Sequence, residues 1–353
     1  MRGGSGPTGM RLILCVLLSA SACAYAQVHV TATRDPVSKS YRKMVEGMDV
    51  FEAKHARAPQ ADLRFRLLPR KRDTRMDDVR VDVVGGSFER PVPVAADGTF
   101  ELERDARALA EDAQVRPNRK AKTMTWRADI RSPGLPGNVR RLGDLRLECE
   151  VGMKAELVSN RSAWERFLDS FTDLSDYCER RTSNYLFFAD RPVFSVALVN
   201  GERREVLPAW RLWGGASEEE DIRPELPWCD CEVLLDRTYT LPLGDKSWPD
   251  STWVEIDYMD EPGTVRAAAA GIEPGESTKG DVRSTLGPPK QIEFASGYEV
   301  WVYRTISPET KAMTGERVVL FAPTGLVQKS RAIRLAPPPS VAPAARQLGT
   351  PSS

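Results

Sequence analysis

Residues 271–304 read GIEPGESTKGDVRSTLGPPKQIEFASGYEVWVYR, a stretch that sets out a helix, its stop and a hairpin in that order. Thr278, followed three residues later by Asp281, is a capping-box pattern: the hydroxyl accepts from an orphan amide, and the carboxylate favours the positive helix end. Val282 and Leu286 stand four apart, on one face of a short helix. Gly287 permits the left-handed conformation that stops a helix, and Pro288 and Pro289 cannot continue one. Residues 291–294 and 298–304 then flank Ala295-Ser296-Gly297, which predicts a hairpin with glycine where a positive φ is needed. Residues 317–321 and 326–334 flank Ala322-Pro323-Thr324-Gly325 in the same manner. The layout is a helix followed by a three- or four-stranded meander. Trp301 and Tyr303 share one face of their strand. Large apolar side chains usually go inside, so the pair is expected in the core, with an exposed aromatic pair as the alternative.

The series Pro274-Gly275, Ser277-Thr278, Asp281-Val282, Leu286-Gly287 and Pro289, then Trp301 and Tyr303, then Leu320-Phe321 and Gly325-Leu326-Val327, resembles the SmpA/OmlA (BamE-like) family. The spacing from Gly275 to Val282 is one residue longer than in the family's outer-membrane assembly factor and nearer that of other members. Over residues 262–335 the resemblance implies two short helices on a three-stranded antiparallel sheet, the first helix at 267–270. It also implies a compact envelope module used for binding, with no catalytic residues to carry over.

At 353 residues the chain exceeds the size at which a single core stops growing, and 41% hydrophobic with 28% charged is ordinary for a globular protein. Arg11 precedes an apolar run at 12–18 that passes through small residues to Ala24-Tyr25-Ala26, predicting a secretory signal over residues 1–26. Ala20-Ser21-Ala22-Cys23 is a faint lipobox with alanine where leucine is usual, so lipid attachment at Cys23 is the lesser alternative. No later stretch has the roughly 18 uninterrupted apolar residues of a membrane-spanning helix. Without the signal, 48 basic residues face 50 acidic ones, a balance that argues against non-specific nucleic-acid binding. The expected location is the periplasm, with peripheral outer-membrane association as an option.

Cys149, Cys178, Cys229 and Cys231 lie beyond the signal, and an even number in an oxidising compartment predicts disulfides. A Cys229–Cys231 bond is the least favoured, because one intervening residue strains the ring; the connectivity otherwise stays open. An isolated C-x-C with His29 and His55 both distant gives no metal-ligand set, and neither metal nor cofactor is expected.

Further upstream, Tyr41, Met44, Val45, Met48 and Phe51 recur at helical spacing, predicting an amphipathic helix within 37–56, docked on the next sheet or turned toward a partner or membrane surface. Leu63, Phe65 and Leu67 alternate with Arg64 and Arg66, and Val79, Val81 and Val83 alternate with Arg80 and Asp82. Met124, Trp126, Ala128 and Ile130, then Leu145, Leu147, Cys149 and Val151, show the same period. With turns at Gly85-Gly86 and Asp97-Gly98, these strands suggest an antiparallel β-sandwich-like domain over 27–158. Ser162 with Glu165 is a second capping box, and with the apolar stripe Trp164, Phe167, Leu168, Phe171 and Leu174 it predicts a helix leading a second β domain over 159–261. Its strands are expected at 185–188, 193–199, 202–207, 210–213, 237–243 and 252–259, with a turn at Asn200-Gly201. Residues 336–353, rich in Pro, Ala and Ser, read as a disordered tail. The basic run Arg70-Lys71-Arg72 and the acidic run 218–221 read as solvated loops. The fold class is β-rich α+β.

The catalytic inventory is poor: no G-x-S-x-G, H-E-x-x-H, P-loop or dinucleotide fingerprint is present. Ser40-Tyr41-Arg42-Lys43 satisfies S-x-x-K without the S-D-N and K-T-G motifs that give it meaning. The reading is a non-enzymatic binding or assembly protein with Trp301 and Tyr303 as candidate contacts. One rival is an inhibitor of a secreted enzyme, because the module's resemblance extends to β-lactamase inhibitory proteins; it requires an exposed aromatic concave sheet. The other is an envelope hydrolase with converging carboxylates in the β domains.

Overall fold

The structure, a computed structural model, describes residues 38–70, 73–120, 123–157, 176–180, 185–217, 234–261 and 271–334. The readings of the signal, Cys23, Lys71-Arg72, the helix near Ser162, the 218–221 run, Cys229, Cys231, the 267–270 helix and the C-terminal tail lie outside the described residues. Arg70, expected in a solvated loop, is instead buried just past the end of the strand Asp62–Pro69.

A short strand, β1 (Lys39–Ser40), runs straight into α1 (Tyr41–Lys54), whose N-cap is Ser40; its hydroxyl accepts from the Lys43 amide at 3.4 Å. Capping is therefore what the S-x-x-K serine does here. There follow β2 (Asp62–Pro69), β3 (Val81–Val84), β4 (Glu89–Val92), β5 (Thr99–Phe100), α2 (Ala106–Ala110), β6 (Gln114–Pro117) and β7 (Met124–Arg131). They build two antiparallel sheets, ordered β1-β6-β3-β4 and β5-β2-β7. One core joins them, with Phe65, Leu67, Trp126 and Ile130 from one sheet, Val81, Val83 and Val115 from the other, and Tyr41 and Met44 from α1.

Next come β8 (Val139–Arg141) and α3 (Leu142–Lys154), and here the expected strand through Leu145, Leu147, Cys149 and Val151 is overturned. The alternation is two interleaved helical stripes. Leu145 and Cys149 face one core, Leu147 and Val151 the other, and each pair is four residues apart. A helix buried between two cores has no solvent side to break the pattern. The boundary expected at 158 therefore falls after an element that both cores share.

The middle of the chain contributes β9 (Phe187–Phe188), β10 (Val193–Asn200), β11 (Arg203–Val206), β12 (Thr238–Tyr239) and β13 (Trp253–Tyr258). The main sheet is ordered β11-β10-β13-β8, with β12 and β9 as a separate pair. Asn200 pairs with Arg203, so the turn is Gly201-Glu202, one residue later than expected, with φ +60° at Gly201. Residues 210–213 are not a strand: Ala209–Arg211 and Trp213–Gly215 are 3-10 turns, entered from Pro208. Cys149 and Cys178 are disulfide-bonded, their Cα atoms 6.0 Å apart, tying α3 to the single turn Tyr177–Glu179.

The C-terminal segment is α4 (Lys279–Leu286), β14 (Lys290–Glu293), β15 (Glu299–Ile306), β16 (Met313–Phe321) and β17 (Val327–Arg334). The sheet is an antiparallel meander of four strands where the family resemblance implied three, because residues 290–293 pair with 299–302. One face packs α4. The other carries Ile292, Val300, Val302, Val318 and Leu320 into the same core as Phe194, Leu212 and Trp213.

Candidate binding groove

The site grows from the capped helix. Thr278 accepts from the Asp281 amide at 3.3 Å while the Asp281 carboxylate accepts from the Thr278 amide at 2.9 Å, the reciprocal pair the sequence predicts. Val282 is buried and Leu286 packs partly beside it. Gly287 ends the helix at φ +81°, its amide donating to the Arg283 carbonyl at 2.9 Å. Gly275 and Gly325 also take positive φ, and the Gly275 amide donates to the Val327 carbonyl, closing the end of β17.

Trp301 is 2% exposed, tilted against Phe321 with ring centroids 4.7 Å apart, and its indole donates to Glu299 at 2.5 Å. It lies beneath α4 as core, so Trp301 is not an accessible contact. Tyr303 is half-buried at the rim of the same cluster, and its hydroxyl donates to the Gly287 carbonyl at 3.3 Å. Burial pushes its phenol up to about 12, with Arg283 opposing.

Beyond Leu286 the strands continue without the helix over them. The uncovered part forms a groove of about 950 Å³, with Leu286, Pro288 and Pro289 among the residues lining it. Register places Tyr303, Arg317 and Ala332 in one cross-strand row, and Thr305, Gly315 and Arg334 in the next. Gly315 leaves the middle of the second row without a side chain. A Cβ there would meet only ordinary contacts, the nearest the Ile333 carbonyl oxygen at 3.4 Å. Lys290 and Arg304 also line the groove, Arg304 donating to the Ser217 carbonyl at 2.8 Å. The sequence reading missed Arg317, Arg334 and Gly315; the available signal was the strand period that sets Arg317 on the face of Val319 and Phe321.

A second polar centre lies where the charged face of the β5-β2-β7 sheet meets the middle of the chain. The Asp190 carboxylate accepts from Arg66 at 2.6 Å and from Arg131 at 2.9 and 3.0 Å, while Arg131 also donates to Asp129 at 2.7 Å. Burial works to raise the Asp190 carboxyl, and the two guanidiniums overcome it, holding it well below the usual carboxylate range. Both carboxylate oxygens are engaged, so the centre acts as a clasp. A smaller cavity of about 210 Å³, lined by Arg57, Arg146, Lys246, Trp248, Pro249 and Asp250, holds one carboxylate, which Arg146 binds at 2.5 Å.

Fold and groove together define a β-rich α+β protein whose C-terminal sheet carries an open, basic-lined surface site. No family model, no curated protein and no solved structure matches the chain. Among the described residues, no group of three or more His, Cys, Asp or Glu could hold a metal ion, and no helix is long and apolar enough to cross a membrane.

Proposed function

We propose that the protein is an exported envelope protein, periplasmic or peripherally associated with the outer membrane, that binds a partner protein through its C-terminal sheet. The observation that carries this reading is the groove floored by Tyr303, Arg317 and Gly315, a concave surface left where α4 stops short of the strands beneath it. Export is supported by the apolar run before Ala24-Tyr25-Ala26 and by the Cys149–Cys178 disulfide, since such bonds persist in oxidising compartments. The SmpA/OmlA-like pattern supports a binding module of the envelope, though the four-stranded sheet is broader than that family's. An inhibitor acting through an exposed aromatic sheet is less favoured, because Trp301 is buried. A hydrolase is less favoured because the carboxylates of the two polar centres are held by guanidiniums.

The test is capture from solubilised envelopes with the whole mature protein beside Gly315→Trp, which fills the groove floor at a position with room for a side chain. A partner retained by the native protein and lost by the folded variant supports the reading. Equal retention by both moves binding away from the groove and overturns it.

A further inference from the structure

We propose that the groove takes an extended acidic segment of a partner protein, with carboxylates at alternate positions received by Arg317 and Arg334. The inference rests on the binding reading above and names the chemistry of its partner. Arg317 faces Ala332 across the β16–β17 ladder, and Arg334 lies two residues beyond Ala332 on the same face. Diagonal neighbours of this kind are roughly 7–8 Å apart. Alternate residues on one side of an extended strand are about 7 Å apart, so two such carboxylates match the two guanidiniums in spacing.

Charge supports the same assignment. Arg317 and Arg334 line the groove on the face of Tyr303, and neither has a carboxylate partner among the described residues. The acidic residue in the lining, Glu316, is 2% exposed and already committed to the Ala209 amide and Arg331. Arg317 Nη1 is shielded from solvent and makes no hydrogen bond, so a side-chain movement that brought it to a ligand carboxylate would relieve an unsatisfied donor. Tyr303, half-buried in the same row as Arg317, adds an aromatic residue to the groove lining. Gly315 keeps the floor low enough for a backbone to lie over it.

The probe is a fluorescein-labelled peptide alternating glutamate with valine, compared with its glutamine counterpart by fluorescence anisotropy against the mature protein. The glutamate peptide is expected to bind at least about tenfold tighter, with affinity falling as salt rises. Arg317→Gln and Arg334→Gln should each reduce it about tenfold, consistent with loss of one charge-assisted bond. Circular dichroism and thermal unfolding check that both variants fold. Equal affinity for the two peptides, or variants without effect, overturns the proposal. Arginine-dependent binding to vesicles of equal parts phosphatidylserine and phosphatidylcholine, with no peptide binding, also overturns it in favour of lipid headgroups. If Gly315→Trp abolishes partner capture but Arg317→Gln and Arg334→Gln leave it intact, the acidic assignment fails while the groove reading stands. Capture indifferent to Gly315→Trp removes both.

Discussion

The Glu316 carboxylate, carried on β16, accepts the backbone amide of Ala209 from the middle of the chain at 2.9 and 3.1 Å. It also pairs with Arg331 at 3.3 Å, and both side chains are buried. Burial pulls the Arg331 guanidinium below its usual value, with Glu316 working against that fall. The C-terminal sheet is thereby bonded to the preceding unit as well as packed on it.

Glu316→Ala should destabilise the protein by about 3–5 kcal/mol, since it leaves a buried guanidinium without its carboxylate and orphans the Ala209 amide. Adding Arg331→Met should recover most of that loss. Urea unfolding of the single and double variants measures both effects. A loss below about 1 kcal/mol for the single variant would show that the pair contributes little.

Asp190→Asn tests the clasp between Arg66 and Arg131. Because the folded carboxyl is held low, its contribution is present above the unfolded value of about 3.9 and fades as pH falls toward the folded one. The native protein should exceed the variant by about 1–2 kcal/mol at neutral pH, a figure discounted for a side chain roughly one-third exposed. The gap should begin to narrow below about pH 4 and shrink steadily as pH falls further. A gap independent of pH contradicts this account.

The Cys149–Cys178 bond closes a loop with a sequence separation of 29. Replacing both residues with serine should cost about 3–4 kcal/mol by the loop-entropy relation. Thermal unfolding of this variant beside the native protein, with and without reductant, checks it: reductant should lower the midpoint of the native form alone.

Thr278→Ala removes one half of the capping box and should cost about 1 kcal/mol. Hydrogen exchange at the first amides of α4 should accelerate in the variant, while exchange in β2 and β7 stays unchanged.

Trp301→Ala should cost about 3–5 kcal/mol as a core truncation. Tyr303→Phe loses one partly exposed hydroxyl bond to Gly287 and should cost about 1 kcal/mol or less. Comparable losses from the two substitutions would contradict the burial difference between them.

Much of the C-terminal segment was legible because its signals are local. A hydroxyl and a carboxylate three residues apart, or a glycine before two prolines, act through bonds within a turn or two. The elements α1, β2, β7, β10 and β13 were legible through periodicity, which reports one buried face. That logic failed at α3, where two buried faces superimpose into a false alternation, and at 210–213, where Pro208 and Gly214 favour 3-10 turns over a strand.

The sequence by itself determined the capped helix, the glycine stops, the β-rich class and the cysteines available for pairing, because those depend on backbone geometry and near neighbours. The tertiary structure alone decided that Cys149 pairs with Cys178, that Asp190 closes on Arg66 and Arg131, and which face of the last sheet α4 covers. Each joins groups far apart in the chain, or depends on how far one element extends over another. The groove has the same origin: α4 ends at Gly287, and the strands beneath it run on to Ile306 and Arg334.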